Sequence, residues 1–547
     1  MTKSHSRKIR FGDCLGIRPG TPGRPGTFSK NEKMSLHPQA LFRHGVASGD
    51  PLSTAVVIWS RVTPPQQSPL AVRWEVAIDP EMLDVVARGT EIADESSDYT
   101  IKVDVPELRP FTDYYYRFET LSMRSRIGHT KTLPEGATEH VRIGVCSCAK
   151  YTSGYFSAYA RMAERADLDF VVHLGDYIYE VGTYDGKALG PTIGRVMDPP
   201  HECTTLGDYR RRYAHYRLDP DLQLLHARHP MVATVDDHEI CFDSWRGGSS
   251  RHEPDRDGRW QDRKDAALRA WREWLPMRAH TSDPGRIYRN FALGDLADLI
   301  VLDSRTLRDR QSDDVRLAVG AGHSILGRNQ LTWLRDRLEG STATWRLIAN
   351  SVMIGQMYTR SLTHDAAERL AELNLLSPEG GPDPDQWDGY AAERAELFAW
   401  LENQGMKDVV FLSGDVHTSW AINLSRDPTD PRATPVGVEF VTPSLTSENY
   451  DDLLSASTGA SVDRVERNLV RENPHVRWTD LDGHGYIVLD IGPHVVEADW
   501  YVVADVRSPS PREHFESGWR VVRGEGRLRP VHGPFSTRSQ TLRPSQI

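Results

Sequence analysis

Long apolar runs are absent from this 547-residue chain. None approaches the roughly 18 consecutive apolar residues of a membrane-crossing helix, so no membrane span is predicted. Cysteine is scarce: the five are Cys14, Cys146, Cys148, Cys203 and Cys241. An odd, scattered set excludes a disulfide framework. Cys146 and Cys148 fall two apart on one strand face, roughly 7 Å between Cα atoms, at the limit for a bridge. Positive charge is also short. A net charge of −11 argues against general nucleic-acid binding. It does not argue against a phosphate-bearing substrate, because bound metals supply local positive charge. Arg7, Lys8 and Arg10 precede no apolar segment, so no signal peptide is read; the sequence leaves location open between a cytoplasmic protein, a mis-assigned start and export by other means. Residues 1–38, rich in Gly, Pro, Ser, Lys and Arg, are expected to form a flexible tail. There is no internal repeat, and nothing in the sequence bears on oligomeric state.

What the chain does contain is six short apolar runs, each ending in a residue able to bind a metal or a phosphate. Val141–Val145 leads into Cys146-Ser147-Cys148, and Phe170–Leu174 into Gly175-Asp176. Met231–Val235 leads into Asp236-Asp237-His238-Glu239, and Leu299–Leu302 into Asp303-Ser304-Arg305. Trp345–Ala349 leads into Asn350, and Val409–Ser413 into Gly414-Asp415-Val416-His417. Short continuous apolar runs read as strands buried on both faces. Side by side, such strands present their carboxyl ends at one edge, where ligands bind.

Two styles of sequence follow one another. Residues 39–135 hold short strand-like runs such as Ala55–Trp59, Val72–Val76, Ile101–Val105 and Tyr114–Phe118, with closely spaced Pro and Gly. They predict a fibronectin-like β-sandwich with a supporting role. Residues 138–505 alternate apolar strands with helical stretches such as Lys264–Trp274, Asn329–Leu338 and Ala391–Gln404, which is α/β patterning. Long loops at Gly182–Pro200, Arg246–Arg263 and Leu375–Gly389 are expected to wall a cleft. Residues 506–547 form a C-terminal segment, with one further strand expected in Trp519–Val531.

The strand ends carry the chemistry. In Gly175-Asp176-Tyr177-Ile178-Tyr179 the glycine permits a tight turn, the aspartate can bridge two cations, and Tyr179 can return as a phenolate. Phenolate and thiolate are strong anionic donors that suit a trivalent iron better than magnesium, and Cys148 offers the thiolate. Asp415 and His417 lie on one face of an extended segment. Asp237 is a carboxylate for a second metal, and His238 a donor to a phosphoryl oxygen, with Arg305 as a second donor. Two metals sharing a hydroxide would attack phosphorus in line. Each feature alone has a bland explanation: a turn for Gly175-Asp176, a buried small apolar residue for Cys148, a salt bridge to Asp303 or Asp309 for Arg305. Their joint occurrence at successive strand ends favours a metal site. Cys146, one pleat deeper, and His173, mid-strand, read as core; Cys14 and Cys203 read as loop residues.

These motifs resemble the PhoD-type alkaline phosphatase/phosphodiesterase family of metallophosphoesterases. The resemblance rests on Gly45–Pro51, Ile58–Arg61, Ser147-Cys148 with Gly154–Phe156, His173–Glu180, Asp236–Glu239, Leu302–Arg305, Leu326-Gly327 with Gln330 and Trp333-Leu334, Trp387–Tyr390, Ser413–Trp420, Glu439–Ser444 and Gly485-Tyr486. It implies a β-sandwich followed by a four-layer α/β/β/α metallophosphoesterase domain. It implies iron(III), Fe(3+), held through Cys148, Asp176 and Tyr179, with calcium, Ca(2+), alongside and Asp415 and His417 completing the cluster. Three departures stand out. Where the family often has an Asn pair, this chain has Ile240-Cys241-Phe242-Asp243, which makes Asp243 a candidate ligand of the second metal or else a loop cap. Asn350-Ser351 replaces a commoner Asn-Gln. The family is usually exported by the twin-arginine route, and that signal is not seen here.

The sequence therefore assigns catalytic positions to His238, Arg305 and Asn350. It assigns metal ligation to Cys148, Asp176, Tyr179, Asp237, Asp243, Asp415 and His417. The expected activity is hydrolysis of a small phosphate ester, either a diester or a monoester. The alternatives are a phospholipase D-like esterase on lipid head groups and a phosphate-binding relative without turnover.

Overall fold

The computed structural model describes residues 41–183, 193–280, 282–311, 323–358, 383–430, 432–449, 452, 462–509 and 512–535. The expected N-terminal tail, Cys14 and parts of the loops at 182–200 and 375–389 lie outside these residues, as does the end of the C-terminal segment. The protein is a mixed α/β structure with three sheets.

The six apolar runs all form strands, but they are divided between two sheets. Val141–Cys146, Phe170–His173 and Met231–Ala233 lie next to one another, in parallel, within a ten-stranded sheet. Ala297–Val301, Trp345–Ala349 and Val409–Ser413 do the same within a seven-stranded sheet. Placing all six along one edge was therefore wrong. Each strand's apolar run is continuous because both its faces are buried, and that pattern does not reveal which neighbour it pairs with.

Alternation within the strands sorts the packing. Val141, Ile143, Val145 and Val172 share one buried cluster with Leu299, Val301, Leu347, Val410 and Leu412 from the other sheet. Cys146 and Val171 point the other way, into a cluster with the helices Ser157–Ala163, Leu206–Tyr216, Pro220–Arg228 and Trp260–Trp274. Ile300, Ile348 and Phe411 meet Gly327–Gly340 and Ala391–Asn403. Burying a Val, Leu, Ile or Phe side chain contributes about 1.5–3 kcal/mol, so these clusters hold the strand ends in fixed relation.

Three N-terminal strands belong to the ten-stranded sheet. Val46–Gly49 pairs in parallel with Met231–Ala233, and Val56–Arg61 and Thr100–Val105 follow it to the edge. Leu70–Ala77, Val85–Ala93 and Asp113–Thr120 form the main part of the third sheet. Val56, Ile58 and Val103 share a core with Val72, Val76, Tyr116 and Phe118. Asp50, buried, ties this region down by accepting from Arg289 at 2.7 Å.

Two expectations need correction. The stretch Arg246–Arg263 is not all loop, since helix Trp260–Trp274 begins within it and a short turn of helix spans Pro254–Asp257. The single strand expected in Trp519–Val531 is two, Glu513–Val522 and Leu528–Val531, paired antiparallel. Gly524 and Gly526, both at positive φ, turn the chain between them.

Candidate metal centre

The carboxyl ends of the two strand sets face one another. Gly175 sits at φ 112°, and a Cβ there would lie 2.4 Å from the Cβ of Asp236. A Cβ on Gly414 would lie 2.5 Å from Ser147 Oγ, across the two sheets. These glycines allow the ligand-bearing turns to approach one another.

Left-handed backbone occurs at eight non-glycine residues from Asp50 to Ser122, and again at the candidate site. Beyond Ser122, the non-glycine residues at positive φ among the described residues are Cys148, Asp176, Asp243, Asp415 and His417. All five are assigned metal ligands. A left-handed non-glycine residue costs of order 1–3 kcal/mol and persists where its surroundings over-determine it. Aspartate tolerates it best of these types.

In one corner, ligand atoms of Cys148, Asp176 and His417 all lie within 4.8 Å of one another. Tyr179 joins them, its Oη 3.3 Å from His417 Nε2. The helix Leu206–Tyr216 fixes Tyr179 from both sides: Tyr216 Oη accepts from its N–H at 3.2 Å, and Arg212 donates to its carbonyl. His417 Nδ1 lies 2.8 Å from the Glu448 carbonyl, so it carries the proton and Nε2 presents a lone pair to the corner. Burial pushes the Cys148 thiol and the Tyr179 phenol well up, with Asp176 adding to both, and pushes His417 down to about 4.

In the other corner, Asp176, Asp236, Asp237 and Asp415 place oxygens within 4.8 Å of one another. Asp176 thus belongs to both corners. Arg305, fully buried, donates to Asp236, to Asp385 at 2.5 Å and to Asp415 at 3.0 Å, with Asp237 3.6 Å away. Its side-chain partners are neither Asp303 nor Asp309, and it does not sit at an open mouth. Asp243 donates its N–H to Asp237 at 2.7 Å; burial, Asp385 and Asp237 push its own carboxyl well up. Burial and neighbouring carboxylates also raise Asp176 and Asp415. For Asp385, burial is outweighed by Arg305 and Arg308, which hold it low.

His238 lies beside both corners and is 8% exposed. Its Nδ1 is 2.6 Å from the buried Glu180 carboxylate, and its ring centroid lies 4.0 Å from that of Tyr179, tilted by 32°. Asp237 and Glu180 outweigh burial and raise its pKa. Asn350 donates to the Val352 carbonyl, and its Oδ1 is buried without a partner.

Cys146 and His173 are core, as expected. Cys146 is fully buried in the helix-facing cluster, and His173 is held 2.7 Å from Tyr159 Oη. Cys146, Cys148, Cys203 and Cys241 are all free thiols.

Sequence reasoning missed several partners. Glu239 accepts from the N–H groups of Asp176, Tyr177 and Asp236 at 3.0, 2.6 and 2.7 Å, locking two ligand turns together. It stood in the Asp236–Glu239 run, so its spacing offered a signal. Asp385, Gln386, Ser447 and Glu448 follow no apolar run and offered none.

The donors present fit metal ions. Asp236 Oδ2, Asp237 Oδ1 and Asn350 Oδ1 are buried without a hydrogen-bond partner, and a buried unpaired acceptor is costly unless a cation or donor meets it. A buried thiol and phenol beside carboxylates are a donor set for a highly charged cation.

Clustered acids with Cys, Tyr and His donors, at facing edges of two sheets, define a hydrolytic centre of the phosphoesterase class. The PhoD-like phosphatase model matches residues 143–500, and the PhoD-like phosphatase N-terminal domain model matches residues 29–134. Alkaline phosphatase D of Bacillus subtilis (strain 168) is 34% identical over 493 residues, covering 86% of this chain and 78% of that protein. The solved structure of PhoD matches with a TM-score of 0.78 at 32% identity, over 90% of this chain and 93% of that one. The chain belongs to the PhoD-like phosphatase family and is a hydrolase of phosphoric esters. Among the described residues, no helix is long and apolar enough to cross a membrane.

Proposed function

We propose that this hydrolase acts on small phosphodiesters and phosphomonoesters through an iron(III) and calcium centre. Cys148, Asp176, Tyr179 and His417 would hold the iron. Asp236, Asp237, Asp243 and Asp415, with Asn350 Oδ1, would hold calcium, and Asp176 would bridge. The observation that carries the reading is Asp176, whose carboxylate is common to the Cys–His group and the four-carboxylate group. Calcium favours several oxygen ligands in flexible geometry, which the acidic corner offers.

When bound, the cations supply Lewis acidity toward the phosphoryl group. The remaining work falls to the chain. Glu180 accepts from His238 Nδ1, so the other ring nitrogen can donate to a phosphoryl oxygen when the ring is the imidazolium. Asp237 and Glu180 favour the charged imidazolium, which strengthens that donation. Arg305 is better placed to balance and space the carboxylates than to touch substrate. Most of the cluster is buried, with Asp415 and His417 partly exposed, and that burial strengthens each interaction.

Residues 39–135 would be a sandwich that shares a sheet with the catalytic domain, 138–505. The two facing sheets with helices outside would form four α/β/β/α layers, a reading supported by the three buried clusters.

Iron and calcium should be quantified in purified protein, alongside turnover of a monoester and a diester. We expect both metals and both activities. A fully active protein without iron or calcium would overturn the metal assignment.

A further inference from the structure

We propose that Ser447 is a positioning residue for the metal centre: its hydroxyl donates to the Tyr179 phenolate oxygen and sets how strongly that oxygen donates to the metal. This rests on the reading of Tyr179 as a ligand of iron(III).

Ser447 Oγ lies 2.6 Å from Tyr179 Oη and 3.0 Å from the Cys148 carbonyl, and both Ser447 and Cys148 are fully buried. A serine hydroxyl has one proton to give. The Cys148 carbonyl already accepts from the N–H groups of Thr446 and Ser447, each at 3.3 Å. Tyr179 Oη has His417 Nε2 at 3.3 Å, and that nitrogen offers only a lone pair because Nδ1 donates to Glu448. Without a cation, the phenol proton occupies the line to His417. As a ligand, Tyr179 has lost that proton, and its oxygen becomes an acceptor only. Ser447 is then the donor in contact with it, and a phenolate is a stronger acceptor than a carbonyl.

The Ser447 turn is braced on every side. Ser444 Oγ lies 2.6 Å from the Ser447 carbonyl and 3.0 Å from His484 Nδ1. The Glu448 carboxylate accepts from Ser153 at 2.8 Å and from Lys150 at 3.2 Å. Asn449 donates to the Asp482 carbonyl at 2.7 Å. Such a hydroxyl has little freedom to turn away. A donor to a ligand atom lowers the energy of its lone pairs and weakens its donation to the metal.

The test is the visible spectrum of the iron-loaded protein and of its Ser447→Ala variant. We expect the variant to keep its iron and to move the phenolate charge-transfer band to longer wavelength, because the freed oxygen gives up its electrons more readily. A band that keeps its position overturns the proposal and leaves the ferric reading standing. A wild-type protein with iron but no such band overturns the ferric-phenolate reading, and this proposal with it. Should the variant not fold, the wild type loaded with iron in D2O decides. Its phenolate vibrations in resonance Raman must shift when the donor is deuterated, and unshifted vibrations overturn the proposal.

Discussion

The two corners of the centre solve the same problem in opposite ways. The Cys148–Tyr179–His417 corner is held by hydrogen bonds: His417 to the Glu448 carbonyl, and Ser447 Oγ to both Tyr179 Oη and the backbone carbonyl of Cys148. The acidic corner packs Asp236, Asp237, Asp385 and Asp415 around one guanidinium. The first is stabilised by hydrogen bonds to the Glu448 carbonyl and from Ser447 that a bound metal would leave in place. The second depends on net charge, and Arg305 is its only buried cation in contact with all four carboxylates among the described residues. The first corner should therefore be rigid with or without metal, and the second should not.

Removing the guanidinium tests this most severely. Arg305→Leu leaves four buried carboxylates without their shared partner, and breaking such a buried pair costs about 3–5 kcal/mol. We expect that loss in denaturant melts of metal-stripped protein, and a smaller loss with calcium present. Equal losses in both states would show that Arg305 does not stand in for a cation.

His238→Ala should lower turnover by about 100-fold, roughly 3 kcal/mol, the scale of one lost donor to a developing negative charge. Both metals should remain, because Nδ1 is committed to Glu180. Loss of metal in this variant would make His238 a ligand instead.

Asp176→Asn and Cys148→Ala separate the corners. Each should cost about 100-fold in turnover, the scale of a disturbed metal site. Metal analysis should show Asp176→Asn short of both ions and Cys148→Ala short of iron alone. Cys146→Ala, in the core two residues away, should keep iron and lose only packing energy. An essential Cys146 with a dispensable Cys148 would reverse the assignment of the sulfur.

The smallest effect is expected at Asp243. Its N–H donates to Asp237, and burial with Asp385 pushes its own carboxyl well up, so it would carry negative charge only with a cation beside it. Asp243→Asn should weaken calcium binding a few-fold and raise the ratio of monoester to diester activity, because a dianion gains more from the lost charge. If neither changes in titrations and paired assays, Asp243 only caps its loop.

The contrast also explains what could be read in advance. The first corner was legible because Cys148, Asp176 and His417 each follow an apolar strand, and Tyr179 follows Asp176 by three. In the second corner Asp236, Asp237 and Asp415 were visible for the same reason. Asp385, which completes the ring on Arg305, belongs to an irregular segment, and no local period marks it. Ser447 is likewise a serine in a turn until Tyr179 is beside it. The division of six strands between two sheets was hidden because an apolar run records burial but not neighbours. The left-handed backbone at the five candidate ligands has no sequence sign apart from the aspartates themselves.

The neighbour of Val141–Cys146 in the ten-stranded sheet is Gly485–Ile491, paired antiparallel from Val145 opposite Ile487 to Val141 opposite Ile491. On a ribosome, the strand that leads to Cys148 emerges long before the strand that flanks it. Until synthesis has passed Ile491, that flank of the strand lacks its sheet partner, and the turns carrying Cys148 and Asp176 lack their final support. Contacts so distant in sequence slow folding, because loop closure precedes any gain from pairing. Completion of the sheet around the Cys148 turn therefore falls late in synthesis, after the strand Gly485–Ile491 has emerged.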